Sequence, residues 1–508
     1  MDPRFYKQHV CVLLLIFIST LTAGCSSIFD ARKQKQPYIN TYYSGNVALA
    51  AKDFTKKSEA RSGTGDELMW SLEAGTANYT AGEYQTSIRE FEQCEALIQG
   101  FDRRAVINAR AAGSEIGSAL TNPNALPFQG MYLDRVMLNV YKALNYFVLN
   151  NPADAQVELR RMREAQKQVV KKFADEIRNS QKEIEAQVQK NQQQSRSLGN
   201  QNTHIAFSTL VKNPAVNEAY TSSANKANKL YGNLSNPFVS YFSALGYLIE
   251  NNYGEALVDV RNLYRMNPDN QLIQRDYVSI AKRIGSEIPI QLANIEPYAY
   301  PLNSKIVYFI LFNGSAPALK QEKFQIILPY VGYTGIAFPR YEYFPVLLPG
   351  LDIDYTYNKQ QQTLRTEQVA DFDAIMSQEY HDKLPSMITR LVVSTLTKEL
   401  ASYAIVHATK HSDSNYGRNN NAEILAYILT GIYKFTFNTA DTRGWETLPK
   451  EVQVAHVPMP DDGVLKISPT GSTGLVKEIA LKQDTNIAIV YIRALSANKL
   501  IYKLIELQ

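Results

Sequence analysis

The pattern of apolar and polar positions changes character several times along the chain, and each change predicts an element. An unbroken apolar run extends from Val10 to Ile18 behind Arg4 and Lys7. It is too short for a stable bilayer span, which needs about 20 residues. From Ser26 to about Asn46 the pattern dissolves into polar sequence such as Ala31-Arg32-Lys33-Gln34-Lys35-Gln36-Pro37, which predicts a flexible tether over residues 25–46. Residues 47–287 then carry helical periodicity. Within them, residues 153–193 read as one long helix rich in Gln, Lys and Glu, followed by a loop over Gln192–Asn200. Its apolar stripe (Val170, Phe173, Ile177, Ile184) is too thin for a sustained coiled coil.

Near Pro289 the period becomes that of strands. Residues 305–312 end at Asn313-Gly314, a turn pair, and residues 323–328 form a second strand candidate. Helical spacing returns from Asp371 to Lys410, where Pro385 is predicted to start a second helix. Residues 421–438 form a further apolar helix, interrupted by Lys434 and too short to span a membrane. After Pro449 alternation resumes through Val452, Val454 and Val457, then Val476, Ile479 and Leu481. Ile487–Leu495 and Lys499–Leu507 predict a closing hairpin. The fold class that follows is multi-domain: an N-terminal all-α helical-repeat domain over residues 47–287, then a C-terminal α+β domain over residues 288–508 with an antiparallel sheet.

The helical region contains an internal signal. Gly75, Tyr79, the turn Gly82-Glu83-Tyr84, Ser87, Phe91 and Cys94 follow a small–large–small spacing across two helices. Ala143, Tyr146, Asn150-Asn151-Pro152, Ala155, Leu159 and Met162 repeat it. So do Ala244, Tyr247, Asn251-Asn252-Tyr253, Ala256, Val260, Leu263 and Pro268. Two antiparallel helices approach closely only where one side is small and a large neighbour fills the groove. The pattern resembles a tetratricopeptide repeat (TPR-like), although Ser87, Ala155 and Ala256 are spaced by 68 and 101 residues rather than regularly. Tyr247 and Tyr253, on the third copy, are candidate partner contacts.

The basic start and short apolar core of residues 1–24 form a secretory signal. It ends in Leu21-Thr22-Ala23-Gly24-Cys25, which resembles the lipobox of bacterial lipoproteins. The resemblance implies cleavage between Gly24 and Cys25, with a diacylglycerol on the Cys25 sulfur and an N-acyl chain (palmitate) on its amino group. Ser26, where an aspartate would favour inner-membrane retention, implies the outer membrane, lipid-anchored on the periplasmic face.

Composition narrows the function classes. Charged residues make up 20% of the 508 positions and the formal net charge is only +4, so no electrostatic footprint points to nucleic acid. Of three cysteines, Cys11 leaves with the signal and Cys25 carries lipid, so Cys94 has no disulfide partner and is predicted to be buried on a helix face.

Candidate chemistry is sparse. His407 and His411 share a helix face but lack the intervening Glu of a zinc protease, leaving at most an adventitious metal site. Gly471-Ser472-Thr473-Gly474 reads as a turn, and no nucleophile elbow is present. The carboxylate pairs Asp352/Asp354 and Asp371/Asp373, expected on loops and helix starts, have no activated partner. One connection stands out, Asn438 to Pro449. There Asp441, Arg443 and Trp445 either lock a loop by ion pair and cation–π contact, or present Trp445 and Arg443 as a partner-binding anchor.

The lipobox, Leu133-Asp134-Arg135, Phe312-Asn313-Gly314-x-Ala316-Pro317 and Ala440-Asp441-Thr442-Arg443-x-Trp445-x-x-Leu448-Pro449 together resemble a family of bacterial lipoproteins with tetratricopeptide-like helices. The resemblance covers most of residues 20–508 and implies an envelope location, with no activity attached. The expected function is a non-catalytic scaffold, without cofactors beyond its lipid, that binds protein partners of an envelope assembly. Peptidoglycan synthesis and secretion are settings by analogy alone. The alternatives are a homo-oligomeric ring or tube subunit and an enzyme acting on envelope polymers.

Overall fold

The computed structural model describes residues 30–110, 126–194, 208–232, 234–328, 332–411, 440–472 and 476–507. The lipobox with Gly24 and Cys25, the loop after Gln194 and the apolar segment 421–438 lie outside the described residues.

The chain begins helical, against the expectation of a tether. Helix α1 spans Ala31–Tyr43, capped by Asp30, whose carboxylate accepts from Lys33 N at 3.3 Å. Its buried positions Ala31, Lys35, Ile39 and Tyr42 form one stripe at helical spacing. Pro37 sits inside the helix at the loss of one backbone bond, and tertiary contacts of that stripe hold the helix together. The flexible-tether reading is therefore overturned for residues 30–46.

Helices α2 (Val47–Arg61), α3 (Glu67–Ala81), α4 (Tyr84–Arg110), α5 (Tyr132–Val148), α6 (Pro152–Gln194), α7 (Pro214–Lys226), α8 (Pro237–Ile249), α9 (Tyr253–Met266) and α10 (Gln271–Ile284) follow. The pairs α3/α4, α5/α6 and α8/α9 are hairpins that turn at the three expected places. Each turn uses one left-handed residue: Gly82 (φ +95°), Asn150 (φ +55°) and Asn251 (φ +58°). Each is closed by the same backbone bond: Glu83 N to Asn78 O, Asn151 N to Tyr146 O and Asn252 N to Tyr247 O, at 2.9, 2.9 and 2.8 Å.

Close approach within the first hairpin depends on Gly75. A side-chain carbon there would lie 2.6 Å from the Phe91 ring, and Ser87 Oγ donates to Gly75 O at 2.8 Å. Gly75→Ala is therefore expected to cost about 1–3 kcal/mol through overpacking, read as a shift of the urea midpoint at constant slope. Cys94 packs fully buried in the same hairpin.

After α10 the described residues form eleven strands and one long helix. Strands β1 (Ile306–Asn313), β6 (Glu367–Asp371), β7 (Glu451–Pro458), β10 (Ile487–Ser496) and β11 (Lys499–Leu507) make a five-stranded sheet in the order β11-β10-β1-β7-β6. Its neighbours are antiparallel except β1 and β10, which run parallel and are joined through all the intervening elements. Strands β2 (Ala318–Leu328) and β3 (Gly332–Glu342) form a separate pair. A four-stranded antiparallel sheet is ordered β5-β4-β8-β9, from β4 (Leu351–Tyr357), β5 (Gln360–Arg365), β8 (Val464–Pro469) and β9 (Lys477–Ala480). Helix α11 (Phe372–His411) is continuous, with Pro385 inside it rather than opening a second helix.

Alternation along β1 explains the layers. Tyr308, Ile310 and Phe312 point into a cluster with the helices, while Val307, Phe309 and Leu311 join Leu351, Ile353, Leu465 and Ile467 of the four-stranded sheet. The five-stranded sheet is thus covered on both faces, which is why β1 reads as a continuous apolar run. The helix-side cluster runs unbroken from Ala31 to Leu507. Position 287/288 marks a change of secondary structure, not a gap in the core.

Candidate functional site

The Asp441–Trp445 connection is the first place to test, and the structure turns it inward. Arg443 is 4% exposed and Trp445 1%. The Arg443 guanidinium donates to Asp441 at 2.9 and 2.7 Å and to the carbonyl of Leu126 at 2.8 Å, and it lies over the Phe128 ring. The Trp445 ring packs against Phe91 and Tyr141 of the helical hairpins, and its N–H donates to Thr76 Oγ1 (2.9 Å) and Thr447 Oγ1 (3.0 Å). These two residues therefore cannot anchor an external partner. The expected lock is present, with Phe128 rather than Trp445 as the cation's aromatic partner. Trp445→Phe, which keeps the ring and removes its donor, is expected to lose about 1–3 kcal/mol, read by urea denaturation. Tyr247 and Tyr253 also have internal partners: the Arg163 guanidinium lies 4.1 Å from the Tyr247 ring centre, and Tyr253 donates to Asn303 Oδ1 at 2.5 Å.

Beneath the lock is an ionic junction that sequence reading missed. Lys35 from α1 is fully buried between Glu73 of α3 (3.0 Å) and Glu446 of the connection (2.7 Å). Glu73 also accepts from Glu446 N (2.8 Å), Thr447 N (3.0 Å) and Thr447 Oγ1 (2.7 Å). Burial opposes the Lys35 charge, but Glu446 and Glu73 together hold its pKa above the ordinary lysine value. Burial raises that of Glu446, which Lys35 only partly offsets.

A second cation, Arg493 of β10, is fully buried and pairs with no carboxylate among the described residues. It donates to the carbonyls of Phe312 (3.1 Å), Gly314 (2.6 Å), Ala494 (3.0 Å) and Thr447 (3.2 Å), and to the hydroxyls of Tyr42 (3.3 Å) and Tyr43 (3.2 Å). Burial works against its charge, and the surrounding tyrosines, Tyr42 and Tyr43 first, outweigh it.

Further links repeat the theme of helix tied to sheet. His456 Nε2 on β7 meets Asp276 Oδ1 on α10 at 2.8 Å. Lys503 on β11 lies over the Tyr84 and Tyr79 rings, and burial pushes its pKa down to about 8. Asp134 caps α5 by accepting from Met131 N (2.8 Å), and burial pushes its carboxyl up to about 7. Asp352 lies within β4, not on a loop, and pairs with Arg365 of β5 at 2.9 Å; Asp371 caps α11 and Asp373 pairs with Lys450. The carboxylates of these pairs are thus engaged in internal contacts.

Two clefts open on the helical face. One, of about 430 Å³, runs between α2, α3 and the start of α4, past Lys52, Thr55, Lys56, Glu59 and Asn78. The other, of about 220 Å³, lies between α4, α5 and α6. Its floor is Ile98, Leu138, Ala165 and Val169, and its rim carries Asp102, Arg135 and Lys172. Both cations contact Asp102, Arg135 at 2.9 Å and Lys172 at 2.5 Å, and with Glu95, Glu164 and Arg161 the cleft is lined by cations and carboxylates in equal number. Asn139, 5% exposed, lines the cleft with a buried Oδ1 that has no hydrogen-bond partner. Among the described residues no group of three or more His, Cys, Asp or Glu converges as a metal site, and no helix is long and apolar enough to cross a membrane.

Comparison of the chain with family models, curated proteins and solved structures gives no match.

Proposed function

We propose that this protein is a non-catalytic, lipid-anchored scaffold at the periplasmic face of the outer membrane, and that its helical hairpins, of tetratricopeptide type, bind a protein partner of an envelope assembly. The anchor part of the reading rests on Leu21–Cys25. The binding part is supported above all by the cleft between α4, α5 and α6. It combines an apolar floor, a rim of mixed charge that includes Arg135, Lys172 and Asp102, and Asn139, whose buried Oδ1 has no partner among the described residues. That combination suits a polypeptide, which brings amide donors and apolar side chains together. The junctions around Lys35 and Arg493 hold the hairpins rigidly against the sheet, so the cleft is presented preformed, at a low ordering cost on binding.

The test is photo-cross-linking in intact cells from Gln168, which lines the cleft, against Gln361 on the exposed edge strand β5. A product formed from position 168 only, and lost in Asn139→Ala, is the expected result. Equal capture from both positions overturns the cleft. Fatty-acid labelling of the wild type, absent in Cys25→Ala, checks the anchor separately.

A further inference from the structure

The folded frame begins much closer to the lipidation site than the polar composition predicts. We propose that the face around Asp30 docks on a lipid bilayer, and that the acylated chain is held there in one orientation by a leash of four residues. The proposal rests on lipidation at Cys25. Cys25 and Asp30 are five peptide steps apart. Whatever path residues 26–29 take, their Cα atoms are separated by at most about 18 Å. A globular body of this length has a radius of gyration of about 23 Å, so the leash is shorter than the body's own radius.

Asp30 is a fixed point, not the first residue of a spacer. It is 5% exposed and accepts from Thr442 Oγ1 at 3.0 Å, 412 positions away in sequence. Arg32 forms an ion pair with Glu342 at the end of β3, and Lys35, one turn further, is locked in the ionic junction. Paying out α1 as slack would break all of these together. A tether over residues 26–46 would have allowed a reach of about 70 Å; the fixed helix removes most of it. The face next to the buried Asp30 and Thr442, which carries Arg32, Lys33 and Glu342, therefore looks at the bilayer. Its charges are largely paired, Arg32 with Glu342 and Lys33 within 3.9 Å of Asp30, so it suits a lipid surface without demanding anionic headgroups. Helix α1 packs on the helical side of the five-stranded sheet, and β5 belongs to the four-stranded sheet on the other side.

The full-length lipidated protein is reconstituted into phosphatidylethanolamine–phosphatidylglycerol vesicles bearing a headgroup-linked quencher. A fluorophore is placed at Lys33→Cys, whose native side chain is 65% exposed, or at Gln361→Cys on exposed β5; Cys94 is buried. Quenching is expected to be several-fold stronger at position 33. Inserting a flexible Gly-Ser linker of about 20 residues after Ser27 is expected to erase the difference. Equal quenching at both sites, with fatty acid present on Cys25, overturns the docked orientation while leaving the anchor intact. Absence of fatty acid on Cys25 overturns the anchor and this proposal with it.

Discussion

Arg493→Ala is expected to destabilise the protein by at least about 4 kcal/mol, the largest effect of any single substitution argued from this structure. The side chain is fully buried and serves four carbonyls and two tyrosine hydroxyls. Removing it leaves several buried acceptors without a donor, at about 1–3 kcal/mol for each one that water cannot reach, besides a large cavity. The loss is not local. Phe312 lies at the end of β1 and Gly314 in the turn just after it, Thr447 belongs to the connection that packs on the hairpins, and Tyr42 and Tyr43 end α1. Arg493→Lys keeps the charge but lacks the planar fork, so it is expected to recover only part of the loss. Urea denaturation at fixed pH measures both. Limited proteolysis in α1 adds a second readout, because α1 should become cleavable in Arg493→Ala before the sheet unfolds. A loss under 1 kcal/mol with α1 still protected would show that the guanidinium is dispensable.

What could be read in the sequence follows from burial. The hairpin turns at Gly82, Asn150 and Asn251 were visible because a left-handed residue and the small positions beside it have no substitutes in close helix packing. Strand β1 was visible because both its faces are buried, and β10–β11 because an apolar strand is followed by an alternating edge. Strands β4 and β5 were missed. Strand β5 is exposed and polar, Gln-Gln-Gln-Thr-Leu-Arg, so it carries no apolar period; β4 does alternate, Leu351, Ile353, Tyr355 and Tyr357 against Asp352, Asp354 and Thr356, but its two carboxylates read as loop residues. Helix α1 was missed because its buried stripe is centred on a lysine.

The site was less legible than the fold. Lys35, Glu73, Glu446 and Arg493 are charged, and a charged residue in sequence predicts exposure. Their partners lie far away along the chain, Arg493 being 451 positions from Tyr42. The Asp441–Trp445 stretch did carry a signal, because an Arg and a Trp in a connection are unusual. What the sequence lacked was the surface they face, which belongs to the protein's own hairpins.

Lys35→Met should lower stability by about 3–5 kcal/mol at pH 7, because two carboxylates then share a dry site without their cation. The pH dependence distinguishes this cause from simple loss of packing. In the wild type the folded pKa of Lys35 is raised. Its contribution is fully present below the ordinary lysine value of about 10.4, and is lost only as pH climbs through the folded value. Glu446 has the opposite consequence. Its folded pKa is also raised, so the unfolded chain gives up this proton first, and the group lowers stability as pH rises from about 4.3 toward its folded value. With Lys35 gone, only the weaker pull of Arg32 is left against burial and the Glu73 carboxylate, and the Glu446 pKa rises further. Lys35→Met is therefore expected to regain stability when pH falls from 7 to 5, by more than the wild type does over the same interval. Adding Glu446→Gln should recover a large part of the loss at pH 7 and flatten the slope, since the amide carries no charge to bury. Denaturation midpoints of the three proteins at pH 5, 6 and 7 decide the matter. Equal losses in the single and double variants, with parallel pH profiles, would mean that Lys35 acts through its volume and that the junction is not held by charge.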